Sequence, residues 1–285
     1  MQIIWCSGGL GNQMFQYAFY RRLQLDGKSV TLDISGFNDY GLHNGFELDK
    51  IFPVKINLAD EVRVNNIKQK ISHLSLLKKI WWKVFTNFRP VIVQKNFGYS
   101  SRLSNLQGLK YLEGYWQSEK YFGTHSDTIR NDFKFPLLDI KNKDYADKIS
   151  QVEAVSIHIR MGDYVNHPLH GGICTLEYYK KALSLIEEKV ESPLFFIFSN
   201  DIEWCQNNLK LDKAIYVTGN EGKNSFRDMQ LMSMCKHNII ANSSFSWWGA
   251  WLNNNPDKVV VAPSKWFNDK TINTKDLLPD SWIQI

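Results

Sequence analysis

The amino-acid sequence predicts an α/β protein of two compact lobes, each built around a parallel sheet. Three observations carry that reading. The chain has 285 residues, more than one hydrophobic core usually organises. Residues 1–33 spell a strand, a glycine-rich turn, a helix and a second strand. From residue 150 onward, short apolar runs alternate with helical patterns, the signature of a parallel sheet covered on both faces.

Taken in order, residues 2–5 form a short apolar strand and residues 6–12 a glycine-rich turn. Residues 14–25 place Met14, Phe15, Ala18 and Phe19 at helical spacing, and a strand at 30–32 ends on Asp33. Residues 60–85 read as a basic helix with Ile67, Ile71, Leu74, Leu77 and residues 80–82 on its apolar stripe. A strand at 110–113 leads into Gly114, and the charged stretch at 141–147 marks a lobe boundary, giving lobes at 1–145 and 146–285. In the second lobe, strands are expected at 154–159, 194–198, 214–217, 239–241 and 259–262. Helices are expected between them at 175–190, with Thr175 as N-cap, and at 202–209, 225–237 and 245–252. Ligands of such sheets sit outside the carboxyl ends of the strands. That singles out the loops after residues 159, 198, 217 and 241.

Composition removes several function classes. Hydrophobic residues make up 44% and charged residues 22%, so global disorder is excluded. A net charge of +5 is too small and too scattered for a nucleic-acid protein. It suits an anionic small molecule, and it leaves room for weak peripheral contact with an anionic membrane surface. Cys6, Cys174, Cys205 and Cys235 form neither a CxxC pair nor a zinc-spaced cluster. A reducing compartment follows, and the absence of a signal core or of ~20 consecutive apolar residues points to the cytoplasm.

Five motifs carry chemistry. Gly8-Gly9-Leu10-Gly11-Asn12-Gln13 lies between strand and helix, where glycines let the backbone approach a ligand and a helix start offers free N–H groups. The same spacing, with Asp33 as a ribose acid, also allows a dinucleotide fingerprint lacking its third glycine, or a plain tight turn. His158-Ile159-Arg160-Met161-Gly162-Asp163 ends a buried strand, so the Arg160 fork suits a diphosphate; an Arg160–Asp163 ion pair is the alternative. Ser199-Asn200-Asp201 offers groups for ribose or base, or an N-cap at Asp201. Ser225 and Asp228 match a capping box. Finally, Asn242-Ser243-Ser244-Phe245-Ser246-Trp247-Trp248 opens a helix with more hydroxyls than a cap requires, which favours phosphate. Its tryptophans read as packing.

These strings, GGLGNQMFQYAFYRRL, GYWQSEKYF, HIRMGDY, FSND and MQLMSMCKHNIIANSSFSWWGAWLN, resemble the family 11 glycosyltransferases, the bacterial and animal α-1,2-fucosyltransferases. The resemblance spans nearly the whole chain. It implies a GT-B-like fold, two Rossmann-type lobes with parallel sheets and a cleft between them. It implies a mainly acceptor-side lobe at 1–145 and a GDP-fucose-binding lobe at 146–285. The implied reaction is inverting transfer of fucose to O2 of a galactose in an oligosaccharide or lipid-linked glycan, with no metal or other cofactor. Arg160 is then implied at the diphosphate and His158 near the nucleotide. Asn242, Ser243, Ser244, Phe245 and Ser246 line the phosphates, Gly11, Asn12 and Gln13 approach the transferred sugar, and Asp201 and Asp228 are candidates for guanine or ribose. Asp163 is the first candidate for general base and Glu119 the second. Met161 departs from the family's HxRRxD pattern, removing one positive charge. A nicotinamide oxidoreductase built on Gly9 and Asp33, and a sugar-binding lectin, are the competing readings.

Overall fold

The computed structural model describes residues 1–38, 41, 44–72, 90–162 and 167–285. The chain divides into two compact units. One holds Met1–Lys134 with Asn273–Leu277; the other holds Phe135–Ile272 with Leu278–Ile285.

The first unit contains β1 (Gln2–Trp5), α1 (Leu10–Leu25), β2 (Val30–Asp33), α2 (Leu48–Ile51), α3 (Glu61–Ser72), β3 (Val91–Val93), β4 (Lys110–Glu113) and α4 (Ser126–Asp132). Its sheet runs β2-β1-β4-β3 with every pairing parallel. Helix α1 begins at Leu10, four positions earlier than the apolar spacing suggests, because Gly9 is extended and the chain turns helical directly behind it. Asn12 and Gln13 therefore sit in a first helical turn rather than in a loop. The helix is buried on nearly all sides. Phe19 packs on Trp116 and Tyr121, and Tyr17 on Phe133. The chain returns late to this unit, where Asp276 accepts hydrogen bonds from Lys120 Nζ at 2.6 Å and from the Tyr99 N–H at 2.8 Å. Of the expected basic helix, α3 is described; Leu74, Leu77 and residues 80–82 lie outside the described residues. No helix among the described residues is long and apolar enough to cross a membrane.

The second unit contains α5 (Ile140–Ser150), β5 (Glu153–Ile159), α6 (Leu176–Lys189), β6 (Pro193–Ser199), α7 (Ile202–Leu209), β7 (Ala214–Tyr216), α8 (Phe226–Met234), β8 (His237–Ile239), α9 (Ser244–Leu252), β9 (Val260–Ala262) and β10 (Ile283–Gln284). Its parallel sheet runs β10-β9-β8-β5-β6-β7. The core is the apolar interior of β5, β6 and α6, with Val155, Ile157, Ala182, Ile186 and Ile197 fully buried.

Three expectations need correction. The boundary falls after Lys134 rather than near 145, and the charged stretch is helix. Asp139 caps α5, and the charges form i,i+4 pairs, Lys143 with Asp147 and Lys148 with Asp144, on its wet face. The capping box at Ser225 does not form. A 3₁₀ turn at Gly222–Asn224 delivers Ser225 already helical, so its hydroxyl makes no cap hydrogen bond. Strand β8 starts at His237 rather than 239, because α8 stops at Met234 and Cys235 is already extended. Buried Asn238 is tolerated there because its Nδ2 donates to Ser156 Oγ and to the Met232 carbonyl.

Candidate functional site

From β5 the chain builds β6 and β7 to one side, then returns to lay β8, β9 and β10 on the other. The carboxyl ends of β5 and β8 therefore border the switch point of the second sheet, where open α/β sheets bind ligands. Thr175 caps α6, the helix after β5, by accepting from the Tyr178 N–H at 3.3 Å. Arg160 follows β5 directly and is half-buried. The turn behind it is held by Asn200. Asn200 Oδ1 accepts from the Met161 N–H at 2.8 Å, and its Nδ2 donates to the Met161 carbonyl at 3.1 Å. Gly162 sits at φ +63, and a Cβ there would meet Asn200 Nδ2 at 2.7 Å. Asn200 is thus the clamp of the Arg160 turn. Asp163, the candidate base, lies outside the described residues.

His158 is 6% exposed and faces the Phe245 ring at 5.8 Å between centroids. Its Nδ1 is buried with no hydrogen-bond partner. Burial, and then the charge of Arg160, push its pKa down to about 3. The imidazole is neutral at ordinary pH, so it offers a donor and an acceptor without competing for cation-binding groups.

At the end of β8, the amino end of α9 is capped by Ser243, whose Oγ accepts from the Phe245 N–H at 3.3 Å. Ser244 and Phe245 are half-buried and form its accessible rim. Two residues of this motif point elsewhere. Ser246 is fully buried and its hydroxyl lies against the Ala241 and Ser243 carbonyls. Asn242 donates to the His170 and Trp266 carbonyls, so it ties the loop after β5 to the loop after β9. Trp247 and Trp248 are fully buried against each other and Trp251.

Asp201 caps α7, accepting from the Trp204 N–H at 2.9 Å. Asp228 accepts from Asn220 Nδ2 at 2.8 Å, and Asn220 and Asn142 exchange amide hydrogen bonds at 3.0 and 2.9 Å. Burial pushes the Asp228 carboxyl up to about 7; Asn220 opposes the shift, Glu221 adds to it and Lys141 opposes it.

In the first unit, the switch point lies between β1 and β4. Gly8 sits at φ +83 and Gly9 caps α1 without a side chain. Gly11 is buried. Gln13 is 0% exposed; its Nε2 donates to the Gly8 and Gly45 carbonyls and its Oε1 accepts from the Glu47 N–H. Gln13 is a bolt between two loops, not a ligand contact. Half-buried Asn12 accepts from Gln117 Nε2 at 2.7 Å. Asp33, the ribose acid of the dinucleotide reading, is buried and accepts from the Tyr111 hydroxyl and the Ser35 N–H. Glu119 opens a 3₁₀ turn, in the field of Arg130. Asn200, offered by the sequence for ribose or base, instead holds the Met161 backbone, and Gln117 is a polar partner within a quoted motif that the sequence reading did not assign.

A profile of Glycosyl transferase family 11 matches residues 1–285. The chain belongs to glycosyl transferase family 11. It is 35% identical to an Escherichia coli alpha-1,2-colitosyltransferase, over 98% of this chain and 97% of the relative. It is also 35% identical to the E. coli O-antigen biosynthesis glycosyltransferase WbnK, over 98% of both chains. Among solved structures it resembles the fucosyltransferase NodZ from Bradyrhizobium, with a TM-score of 0.50 at 13% identity over 87% of this chain and 91% of that one. It also resembles an Arabidopsis thaliana FUT1 variant in complex with GDP, with a TM-score of 0.51 at 12% identity over 91% and 69%. The fold is accordingly the GT-B type, two parallel-sheet units of Rossmann kind.

Proposed function

We propose that this family 11 glycosyltransferase transfers L-fucose from GDP-β-L-fucose to O2 of a galactose residue in a glycan, with inversion and without a metal. The observation that supports this most is the company at the β5/β8 switch point. Arg160, neutral His158 and the hydroxyl-bearing start of α9 come from the two strand ends that border one crevice. That set suits a nucleoside diphosphate whose charge is met by a guanidinium and by helix N–H groups.

The acceptor hydroxyl oxygen bonds to the anomeric carbon as the bond from that carbon to the β-phosphate oxygen breaks, and the hydroxyl proton passes to a general base, for which Asp163 is kept as the candidate. GDP departs carrying the electron pair. Arg160 and the first-turn N–H groups of α9 take up the charge that grows on the diphosphate, and do so more strongly in the transition state than before it. Asp228 is kept as the candidate for the guanine edge. The four free thiols support a reducing, cytoplasmic setting.

A second reading keeps this mechanism and changes the sugar. The colitosyltransferase likeness favours testing the 3-deoxy analogue of fucose as donor. Purified protein is incubated with lactose, a chelator and either GDP-fucose or GDP-colitose, and the products are read by mass spectrometry and NMR. An α-1,2-linked fucosyl product is expected. Product from GDP-colitose alone would move the donor assignment to colitose, and product only after metal is restored would remove the metal-free claim. Silence with both donors, with no thermal stabilisation by GDP, would end the transferase reading.

A further inference from the structure

The amino edge of the first sheet, opposite its β1/β4 switch point, holds a cavity of about 410 Å³ lined by Arg22, Asp26, Lys28, Tyr99, Ser101 and Asn105. Lys28 stands just ahead of β2 and Asn105 ahead of β4, which fixes the cavity at that edge.

One wall is the end of α1. Asp26 is its C-cap, and Gly27 turns the chain at φ +73. The Gly27 and Lys28 N–H groups then close on the Gln24 and Leu23 carbonyls, both at 2.9 Å. That turn sets the direction in which Lys28 leaves the helix. The other wall is the stretch 98–105. The Tyr99 N–H donates to Asp276 Oδ2 at 2.8 Å and the Ser100 N–H to the Tyr121 hydroxyl at 3.1 Å. The Tyr99 ring stands edge-on to Tyr121 at 5.0 Å. Both walls are thus held by backbone and ring contacts that leave the polar tips of Lys28, Tyr99, Ser101 and Asn105 unspent.

Those tips contrast with their neighbour. Asp26 pairs with Arg22 Nε, and its Oδ1 lies 3.1 Å from His125 Nε2. The Lys28 ammonium, the Tyr99 and Ser101 hydroxyls and the Asn105 amide hydrogen-bond to no other group among the described residues. The lining decides the ligand by exclusion. No apolar side chain lines the cavity, so an apolar molecule gains little there. A bare anion would face the Asp26 carboxylate and the carbonyl end of α1, and a cation would face Arg22 and Lys28. A neutral molecule rich in hydroxyls suits every group. Its oxygens accept from Lys28 and the Asn105 amide, and its O–H groups donate to Asp26, while Tyr99 and Ser101 serve either way. The volume falls in the range of small-ligand sites.

We propose that this cavity is a second glycan-binding site, taking a neutral sugar and sharing no residue with the β5/β8 crevice. It goes beyond the transfer reaction and does not depend on it.

The test uses the whole chain carrying fluorotyrosine, read by fluorine NMR, with the Tyr99 line assigned by its loss in Tyr99→Phe. Lactose, maltose, glucuronate and inorganic phosphate are titrated separately with no donor present. Lactose or maltose is expected to move the Tyr99 line, saturating in the millimolar range. Lys28→Ala/Asn105→Ala should weaken that response roughly 10-fold, the loss of two hydrogen bonds. The melting temperature of this variant, and its kcat and KM for lactose, should equal those of wild type. An unmoved line with both neutral sugars, or an unchanged titration in the variant, overturns the site. Movement with glucuronate or phosphate alone overturns the ligand class. A lactose KM that rises in step with the lost response would merge the cavity with the acceptor site and overturn its separateness. Binding is read without turnover, so failure of the transferase reading leaves this result standing.

Discussion

The two strand-to-helix junctions at the switch points of the two sheets use the same topology for different electrostatics. At the end of β8, α9 is capped by the Ser243 hydroxyl, and the adjoining strand β5 carries His158 near its end, with Arg160 directly behind it. At the end of β1, α1 is capped by Gly9 with no side-chain hydrogen bond, and its neighbours are the amides Asn12, Gln13, Gln16 and Gln117. Gln16 ties the two loops there, accepting from the Ser7 N–H and donating to the Gly114 carbonyl. A helix amino end carries roughly half a positive charge in either case. A guanidinium in the strand-end segment next to one of them suits an anion; at the other, the buried amides of Gln13 and Gln16 are spent on backbone groups of neighbouring loops. The fold supplies the crevice, and the side chains around the helix start choose the ligand.

The largest expected effect breaks the comparison at its charged end. Arg160→Ala should lower turnover on the order of 100- to 1,000-fold and abolish thermal stabilisation by GDP, with the apo melting temperature little changed. Retained turnover would mean that the helix start alone handles the diphosphate. The neutral end should fail differently. Gln13→Ala leaves the Gly8 and Gly45 carbonyls and the Glu47 N–H unpaired in a buried site. Urea unfolding should show a loss of about 3 kcal/mol, while GDP affinity of the folded fraction stays as in wild type. A loss below about 1 kcal/mol would show that Gln13 is not the bolt its contacts describe.

A third effect concerns Asp228, whose carboxyl is raised to about 7 by burial. The unfolded chain titrates such a group near 3.9. The folded state therefore holds a proton that the unfolded state has lost between those values. The stability this contributes is complete below about pH 4 and is lost as pH rises through about 7. Asp228→Asn keeps an acceptor for Asn220 and removes the titration. Its melting temperature should vary less between pH 4 and 8, and exceed that of wild type at pH 8. An unaltered pH profile would assign the titration to another group.

Much of this was readable beforehand for a plain reason. Apolar runs such as residues 154–159 and 194–198 report periodicity and burial directly, and the loops at their carboxyl ends follow from the parallel-sheet rule. Thr175 and Asp201 as caps were equally local, since each partner lies three residues ahead. The Ser225 capping box had the same local form and failed, because the preceding 3₁₀ turn had already set its backbone. Gln13, Asn242 and Ser246 illustrate a different gap. Each stands in a motif that points at a ligand and turns inward, Gln13 and Asn242 to partners outside the motif and Ser246 to the carbonyls of Ala241 and Ser243 beside it.

By itself, then, the sequence determined the alternation of strands and helices, the strand ends where a ligand belongs and the residue types gathered there. Tertiary structure decided which of those polar groups remain available. A polar side chain in a motif has no fixed direction until partners arrive from elsewhere. Those of Gln13 come from Gly45 and Glu47, those of Asn242 from His170 and Trp266, and that of Asn12 from Gln117. Such partners are brought in by chain closure over long separations, which local periodicity does not encode. Burial then makes each hydrogen bond obligatory, so a side chain drawn inward to satisfy a carbonyl is withdrawn from the ligand.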